Sequence, residues 1–336
     1  KGINCSGAIS ISNSDHLNPA GEIITNTDIQ KVLEHAKAIN LSPDRKILHV
    51  LSQNFTVDDR EGIKDPLGLS GHRLEAKVHL VTISRNIEKD LTTCLELSDI
   101  DIDGFILEPL ASSYSILNKD EKKLGTVLVD IGGGTSDIII FQNDAILHTG
   151  AISLGGDSLT KDIAYGLQTS IDQAEKIKCE KGVAKTALAD EDNKIDVLGT
   201  NGRKNIEISQ RDLADIIEPR MIEIFTLVKD EITKCEQNNN LTFGIVLTGG
   251  GSKLENIREL AEEFFNLPIK KGIPDSINGI IDIINNPRYA TVIGITQYAS
   301  SDERNILEST IIDYNENFID YMKTKINNFL KIIKIK

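Results

Sequence analysis

Val127-Leu128-Val129-Asp130-Ile131-Gly132-Gly133-Gly134-Thr135-Ser136-Asp137-Ile138-Ile139-Ile140-Phe141 sets two apolar, β-branched runs on either side of a turn with three consecutive glycines. Such runs joined by a glycine turn predict a β-hairpin. Lacking Cβ atoms, the glycines let the turn take positive φ and let backbone N–H groups converge on an anion. The tip, Gly132, Gly133, Gly134 and Thr135, therefore suits the β- and γ-phosphates of a nucleotide. Asp130 and Asp137 at its edges would face Mg²⁺ through water, because that cation keeps much of its hydration shell beside phosphates. The alternative is a glycine-rich hairpin without a ligand, although a tight turn needs fewer than three glycines.

A second glycine corner lies more than a hundred residues on. Phe243-Gly244-Ile245-Val246-Leu247 reads as a buried strand running into Thr248-Gly249-Gly250-Gly251-Ser252. A helix with Leu254, Ile257, Leu260, Ala261 and Phe264 at apolar spacing follows, and Ser252 and Glu255 stand at capping-box distance. Strand, glycine turn and helix N-terminus together make an anion or nucleoside platform. One such turn is a weak signal, but a nucleotide held between two lobes needs both corners. Neither has the G-x-x-x-x-G-K-[ST] pattern of a P-loop, and no G-x-G-x-x-G fingerprint stands in context.

Between the corners, residues 145–152 predict a third strand and Leu154-Gly155-Gly156-Asp157 a turn into a helix over about 158–166. The next helix puts Glu175 and Lys178 on one face, where they pair with each other or with ribose hydroxyls. Residues 182–205 are polar, with a short strand expected at 195–198. A long helix is expected over 210–236, kinked or divided by Pro219. Upstream of the hairpin, the sequence predicts a helix at 86–97 and a buried strand at 104–107. Glu108-Pro109 then opens a helix of small residues over 110–117, with proline tolerated in its first turn. Glu108 could position a water near a γ-phosphate, or be a surface acid before a helix.

Residues 1–85 read as a compact α/β module without catalytic spacing, and so as an interaction surface. Ile29, Val32, Leu33, Ala36 and Ile39 recur at helical spacing behind Thr25, Asn26 and Thr27, which can cap a helix start. Short strands are expected at 46–51 and 54–57, and another at 73–83 with Leu74, Ala76, Val78 and Leu80 on its inner face. His79 alternates with that face and reads as a surface residue.

The chain has 336 residues, 40% hydrophobic and 26% charged, enough for two domains or linked lobes of a soluble globular protein. A net charge of −14 argues against general nucleic-acid binding. Cys5, Cys94, Cys179 and Cys235 form no C-x-x-C pair, as expected of reduced thiols, and the six histidines show no zinc spacing. No apolar run is long enough to span a bilayer, and no signal-peptide profile opens the chain. It begins at Lys1 without methionine, from which we expect a missing natural N-terminus.

Residues 299–317 read as a polar, acidic linker. Beyond it, Phe318, Ile319, Met322, Ile326, Phe329, Leu330 and Ile333 fall on one helical face. Lys323, Lys325, Lys331, Lys334 and Lys336 against Asp320 leave this tail at +4. A basic amphipathic tail on an acidic protein predicts a helix lying in the plane of an anionic membrane, each lysine worth about 1 kcal/mol there. A helix packed on the body, or one that binds a partner, is the alternative.

These elements together resemble the actin-like ATPase superfamily and, within it, the FtsA family of bacterial cell division. The resemblance covers nearly the whole chain. It is carried by Ala76-Lys77-Val78-His79-Leu80-Val81-Thr82, Leu110-Ala111-Ser112-Ser113-Tyr114-Ser115, Asp130-Ile131-Gly132-Gly133-Gly134-Thr135, Asp162-Ile163-Ala164-Tyr165, Ala174-Glu175-Lys176-Ile177-Lys178, Ile217-Glu218-Pro219-Arg220, Leu247-Thr248-Gly249-Gly250-Gly251 and the tail. It implies an α/β, actin-like (ribonuclease H-like) two-lobed fold with an FtsA-type inserted subdomain and a C-terminal amphipathic helix. Residues 1–84 would be the family's own interaction subdomain and 85–120 the remainder of the first lobe. Residues 121–167 with 243–298 would form the second lobe, with 168–242 inserted.

The resemblance further implies ATP with Mg²⁺ as ligand and at most slow hydrolysis. The phosphate loop would fall on Asp130 to Thr135, the ribose contacts on Glu175 and Lys178, and the adenosine loop on Gly249, Gly250, Gly251 and Ser252, with Asp130 facing the cation through water. The implied partners are the tail of the tubulin-like protein FtsZ, docked near Arg220, further copies of the chain in actin-like filaments, late division proteins and the membrane surface at the division site. The family's first phosphate loop has no counterpart after Lys1, so a truncated chain is expected. Rival readings are a sugar- or acetate-kinase-type phosphotransferase and a pilus-assembly protein of the same superfamily. The first needs a base aimed at an acceptor hydroxyl, which no residue here is obliged to supply, and neither explains the tail.

Overall fold

The computed structural model describes residues 1–11, 21–199, 204–235, 241–274 and 285–301. The tail expected at 318–336 and most of the linker lie outside the described residues.

The first part of the chain forms β1 (Gly2–Ser10), β2 (Glu22–Ile23), α1 (Asn26–Lys37), β3 (Arg45–Val57), β4 (Arg60–Ile63), β5 (Ser70–Gly71) and β6 (Arg73–Ser84). Four of these strands pair antiparallel in the order β1-β6-β3-β4, and β2 pairs with β5. Thr25 and Asp28 close a capping box at the start of α1, whose Val32, Leu33 and Ala36 are buried with Leu74, Ala76, Val78 and Leu80 of β6. The helix lies so close that a Cβ on Gly7 would stand 2.5 Å from the Ala36 nitrogen.

Two expectations for this part are corrected. The strands expected at 46–51 and 54–57 are one strand, β3, whose pairing with β6 shifts register between Ile47 and His49 and between Ser52 and Asn54. Each shift absorbs a break in the apolar alternation without ending the strand. His79 is not a surface residue but 1% exposed. Residues 78–82 of β6 are buried on both faces, so the alternation that marks a half-buried strand stops applying there. Its Nδ1 bonds to Asn4 Oδ1 at 2.6 Å and its Nε2 to Thr149 Oγ1 at 2.9 Å.

Helices α2 (Arg85–Glu96), α3 (Glu108–Ile116) and α4 (Lys119–Leu124) lead into the second part, α3 with Pro109 in its first turn. The buried strand expected at 104–107 does not form. The segment is only partly buried, and the Leu107 N–H donates to His49 Nε2 at 3.0 Å instead of to a strand.

The second part is built on β7 (Thr126–Ile131), β8 (Ser136–Gln142), β9 (Ala145–Ile152), β12 (Ile245–Thr248) and β13 (Ile269–Lys271). They form one mixed sheet in the order β13-β12-β7-β8-β9, parallel from β13 to β7 and antiparallel from β7 to β9. Strand parity divides its side chains. Val127, Val129, Ile131, Ile138 and Ile140 share a core with α5 (Gly156–Leu167), α6 (Ile171–Lys181), α7 (Gln210–Thr233) and α8 (Ile257–Phe265). Leu128, Ile139, Phe141 and Val246 share another with α3 and α9 (Ala290–Ala299).

The region between β9 and β12 adds a hairpin, β10 (Lys194–Val197) with β11 (Ile206–Ser209), whose Ile195 and Val197 join the same core as the large sheet. Helix α7 is not divided by Pro219. The proline cannot donate to the Asp215 carbonyl, but both residues lie on the exposed face, while Leu213, Ile217 and Met221 hold the buried face.

Candidate functional site

The expected hairpin forms, with Asp130 opposite Asp137 and Ile131 opposite Ser136 across β7 and β8. Because β12 runs parallel to β7 with Thr248 beside Asp130, the turns after Ile131 and after Thr248 leave the same end of neighbouring strands. The corners also touch. Gly249 has φ +83°, and a Cβ there would stand 2.3 Å from Asp130 Oδ1 and 2.5 Å from the Ile131 carbonyl oxygen. One on Gly251 would meet Ile131 Cγ2 at 2.4 Å. By contrast, nothing lies within 4 Å of a Cβ built on Gly134 or Gly250, so the two tips face open space.

Ser252 does not cap a helix. Its Oγ donates to the Gly249 carbonyl at 2.8 Å inside a 3₁₀ turn, Gly250–Lys253, and α8 starts later, behind Asn256 in the left-handed region. The chain from Glu255 is held elsewhere, its carbonyl accepting from the Ala184 N–H at 2.8 Å, so the capping-box spacing is not used.

The same parity that buries Leu128 turns Asp130 toward α3 and α9. Its Oδ2 accepts from Ser112 Oγ at 2.7 Å and from Thr291 Oγ1 at 3.4 Å. Burial raises the Asp130 carboxyl above the usual aspartate range against those two bonds. Asp137 is raised by burial and by Asp130, against a bond from Thr135 Oγ1. Glu108, exposed at the start of α3, is pushed up to about 6 by desolvation and then by the charges of Asp137 and Asp130. Three carboxylates thus repel one another at one end of the sheet, an arrangement that a cation would relieve. Among the described residues no three such side chains close around a metal position, so a cation here would be held through water and ligand oxygens.

On the other side of the hairpin, the Gly156 N–H donates to the Gly132 carbonyl at 2.9 Å and the Asp157 N–H to that of Gly133 at 2.8 Å. A Cβ on Gly155 would lie 2.5 Å from the Gly133 carbonyl oxygen, which makes glycine obligatory at that contact. Glu175 and Lys178 lie behind this turn and pair at 2.6 Å. Burial works to raise the Glu175 carboxyl, but bonds from Lys178 and Thr160 outweigh it and leave it lowered. Arg220, expected to meet a partner, is engaged within the chain by Asp162 at 2.6 and 3.0 Å and by Glu223.

In the sequence Gly155 and Gly156 read only as a turn and Ser112 only as part of a family motif, while Thr160 and Thr291 carry no signal. The Gly155-Gly156 pair was a usable signal, being more glycine than a strand-to-helix turn needs. Nothing in the sequence ties Thr291 to Asp130.

A family model described as Cell division protein FtsA matches residues 127–294, and one described as the SHS2 domain inserted in FTSA matches residues 1–82. The cell division protein FtsA of Pseudomonas aeruginosa is 43% identical over 298 residues, 89% of this chain and 70% of that protein. The chain belongs to the FtsA family. Solved structures place this FtsA-family chain among actin-like folds. MreB 5 of Spiroplasma citri bound to AMPPNP superposes with a TM-score of 0.56 at 18% identity, covering 67% of each chain. The PilM-PilN type IV pilus biogenesis complex gives 0.58 at 13% identity, covering 89% of this chain and 77% of that one. At those identities the likeness speaks for the fold alone. It agrees with the α/β, actin-like fold expected from the sequence and with the mixed sheet found here. No helix among the described residues is long and apolar enough to cross a membrane.

Proposed function

We propose that this actin-like cell-division protein binds ATP with Mg²⁺ between its glycine corners and tethers the FtsZ ring to the cytoplasmic face of the cell membrane. The observation that carries the reading is the convergence of two open glycine tips and three mutually repelling carboxylates at one end of the sheet. Gly132, Gly133, Gly134 and Thr135 would take the phosphates, Gly249, Gly250, Gly251 and Ser252 the nucleoside, and Glu175 the ribose. Asp130 and Asp137 would hold the cation through water, and Glu108 would position a water at the terminal phosphate. The cation would neutralise the phosphates, and slow hydrolysis at most is proposed. MreB 5, the likeness noted above, was solved with AMPPNP, which supports a nucleotide here.

On this reading residues 1–84 form an interaction subdomain for neighbouring copies and late division proteins, and 85–120 complete the first lobe. Residues 121–167 and 243–298 form the second lobe, with 168–242, including Arg220, offering a surface to the FtsZ tail. The amphipathic residues 318–336 lie on anionic lipid, joined through 299–317. Two measurements test the proposal. Titration with a fluorescent ATP analogue should give Mg²⁺-dependent binding, and co-sedimentation with anionic liposomes should be lost on deleting residues 318–336. Equal pelleting of both forms would remove the tether, and absence of binding would remove the nucleotide.

A further inference from the structure

We propose that Ser112 and Thr291 are positioning residues for the cation site, gripping the Asp130 carboxylate by one oxygen so that the other is presented between the glycine corners. The proposal rests on the nucleotide reading above. Ser112, fully buried on α3, donates from Oγ to Asp130 Oδ2 at 2.7 Å. Thr291 Oγ1, on α9, stands 3.4 Å from the same oxygen and 2.9 Å from Ser112 Oγ. A hydroxyl carries one proton, and that of Ser112 goes to the carboxylate. The shorter Thr291 contact therefore runs from Thr291 to Ser112 to Asp130, a chain in which each bond polarises the next. Both bonds to Asp130 fall on Oδ2. Oδ1 lies against the second corner, where a Cβ on Gly249 would overlap it.

The crossing of two helices sets this grip. A Cβ on Gly294 of α9 would run into the Ala111 carbonyl oxygen of α3, so the helices meet backbone to backbone one residue before Ser112 and one turn after Thr291. Ser115 Oγ, one turn further along α3, donates to the Ala290 carbonyl at 2.7 Å, beside Thr291. Only at such a close approach do hydroxyls from both helices reach one carboxylate oxygen. The terminal torsion of an aspartate is broad and roughly two-fold, so a carboxylate without that grip turns. Holding Oδ2 fixes its plane and leaves Oδ1 to the water shell of a cation. Mg²⁺ demands a near-ideal octahedral shell and tolerates little misplacement of the groups around it. Neither hydroxyl has to touch nucleotide or cation, because both act through Asp130.

The test is the benefit that Mg²⁺ brings to ATP binding, read by calorimetry on the full chain as the ratio of affinities with Mg²⁺ and with EDTA. Ser112→Ala should cut that ratio about tenfold, as for one bond to a charged group, and leave the affinity in EDTA at the parental value. Thr291→Val should cut it less, and Thr291→Ser, which keeps the hydroxyl, should restore it. Added to Asp130→Asn, Ser112→Ala should cut the ratio no further, because the carboxylate it positions is gone. A crystal structure of nucleotide-free Ser112→Ala adds a readout without ligand: the Asp130 carboxylate should be turned or split between orientations. Should Ser112→Ala not fold, Thr291→Val, at a partly exposed position, carries the same measurements with the smaller effect. Equal losses with and without Mg²⁺, an unchanged ratio, or a Ser112→Ala penalty as large in Asp130→Asn as in the parent would overturn the proposal. If the parent binds ATP in neither condition, the nucleotide reading falls instead, and the orientation of the carboxylate alone decides whether the hydroxyls position it.

Discussion

Asp130 and Thr248 are register partners on adjacent parallel strands, although 118 positions separate them. That pairing brings two glycine turns to one edge. It also makes Gly249 the tightest point of the site, with positive φ and no room for a side chain beside Asp130.

Gly249→Ala should therefore lower stability by about 1–3 kcal/mol, the usual cost of holding an ordinary residue in strained backbone, and nucleotide affinity should fall with it. Gly250→Ala and Gly134→Ala, which meet nothing, should leave the melting temperature unchanged. Thermal unfolding of the three variants without nucleotide checks this, and equal melting of Gly249→Ala and the parent would contradict it.

Affinity for the Mg²⁺–nucleotide complex should weaken with acid. Glu108, pushed up to about 6 by desolvation and by the neighbouring Asp137 and Asp130, takes up a proton as the pH drops below neutrality, and protons compete with the cation. Titrations between pH 7.5 and 5.5 should show the loss, reduced in Glu108→Gln; a pH-independent affinity would contradict it.

Stability should also fall with acid, for a separate reason. His49 and His79 are both lowered from 6.5 to about 4, His49 by burial and His79 by burial and then by His148 and the N-terminal ammonium. Asn4 Oδ1 can only accept, so His79 Nδ1 carries the proton and Nε2 accepts from Thr149. A histidine that is harder to protonate in the fold than in the unfolded chain contributes stability that is present above pH 6.5 and lost as the pH falls toward 4. The slope is about 1.4 kcal/mol per pH unit for each group at most. Urea unfolding at pH 7.5 and 5.0 measures it, and His79→Gln should flatten the profile.

Arg220→Ala should cost about 1 kcal/mol or less, because its pair with Asp162 is partly exposed. On the proposed docking of the FtsZ tail, the same change should lower affinity for that tail peptide at least tenfold by calorimetry. A large loss of stability with unchanged peptide affinity would make Arg220 a structural residue only.

The hairpin, the second glycine corner, the capped α1, the Glu108-Pro109 helix start and the family itself were legible in the sequence. Each is written in neighbouring residues: glycine where Cβ is not tolerated, a period of two or of 3.6, a capping side chain three positions from its partner. The misreadings came where a distant segment decides. His79 is covered on both faces, residues 104–107 find no strand to pair with, and of the kink or division expected at Pro219 the division does not occur, the proline lying on the exposed face of its helix. Ser252 bonds within its own turn because Glu255 is held by Ala184.

Local pattern determined that this chain has two glycine corners and a helix carrying Glu175 and Lys178. Only the tertiary structure decided that the corners meet, that Asp130 faces Ser112 and Thr291, and that the Lys178 ammonium bonds the Gly156 carbonyl. The reason is that strand register and side-chain parity are fixed by contacts made across the sheet, and those contacts have no sequence spacing from which to read them.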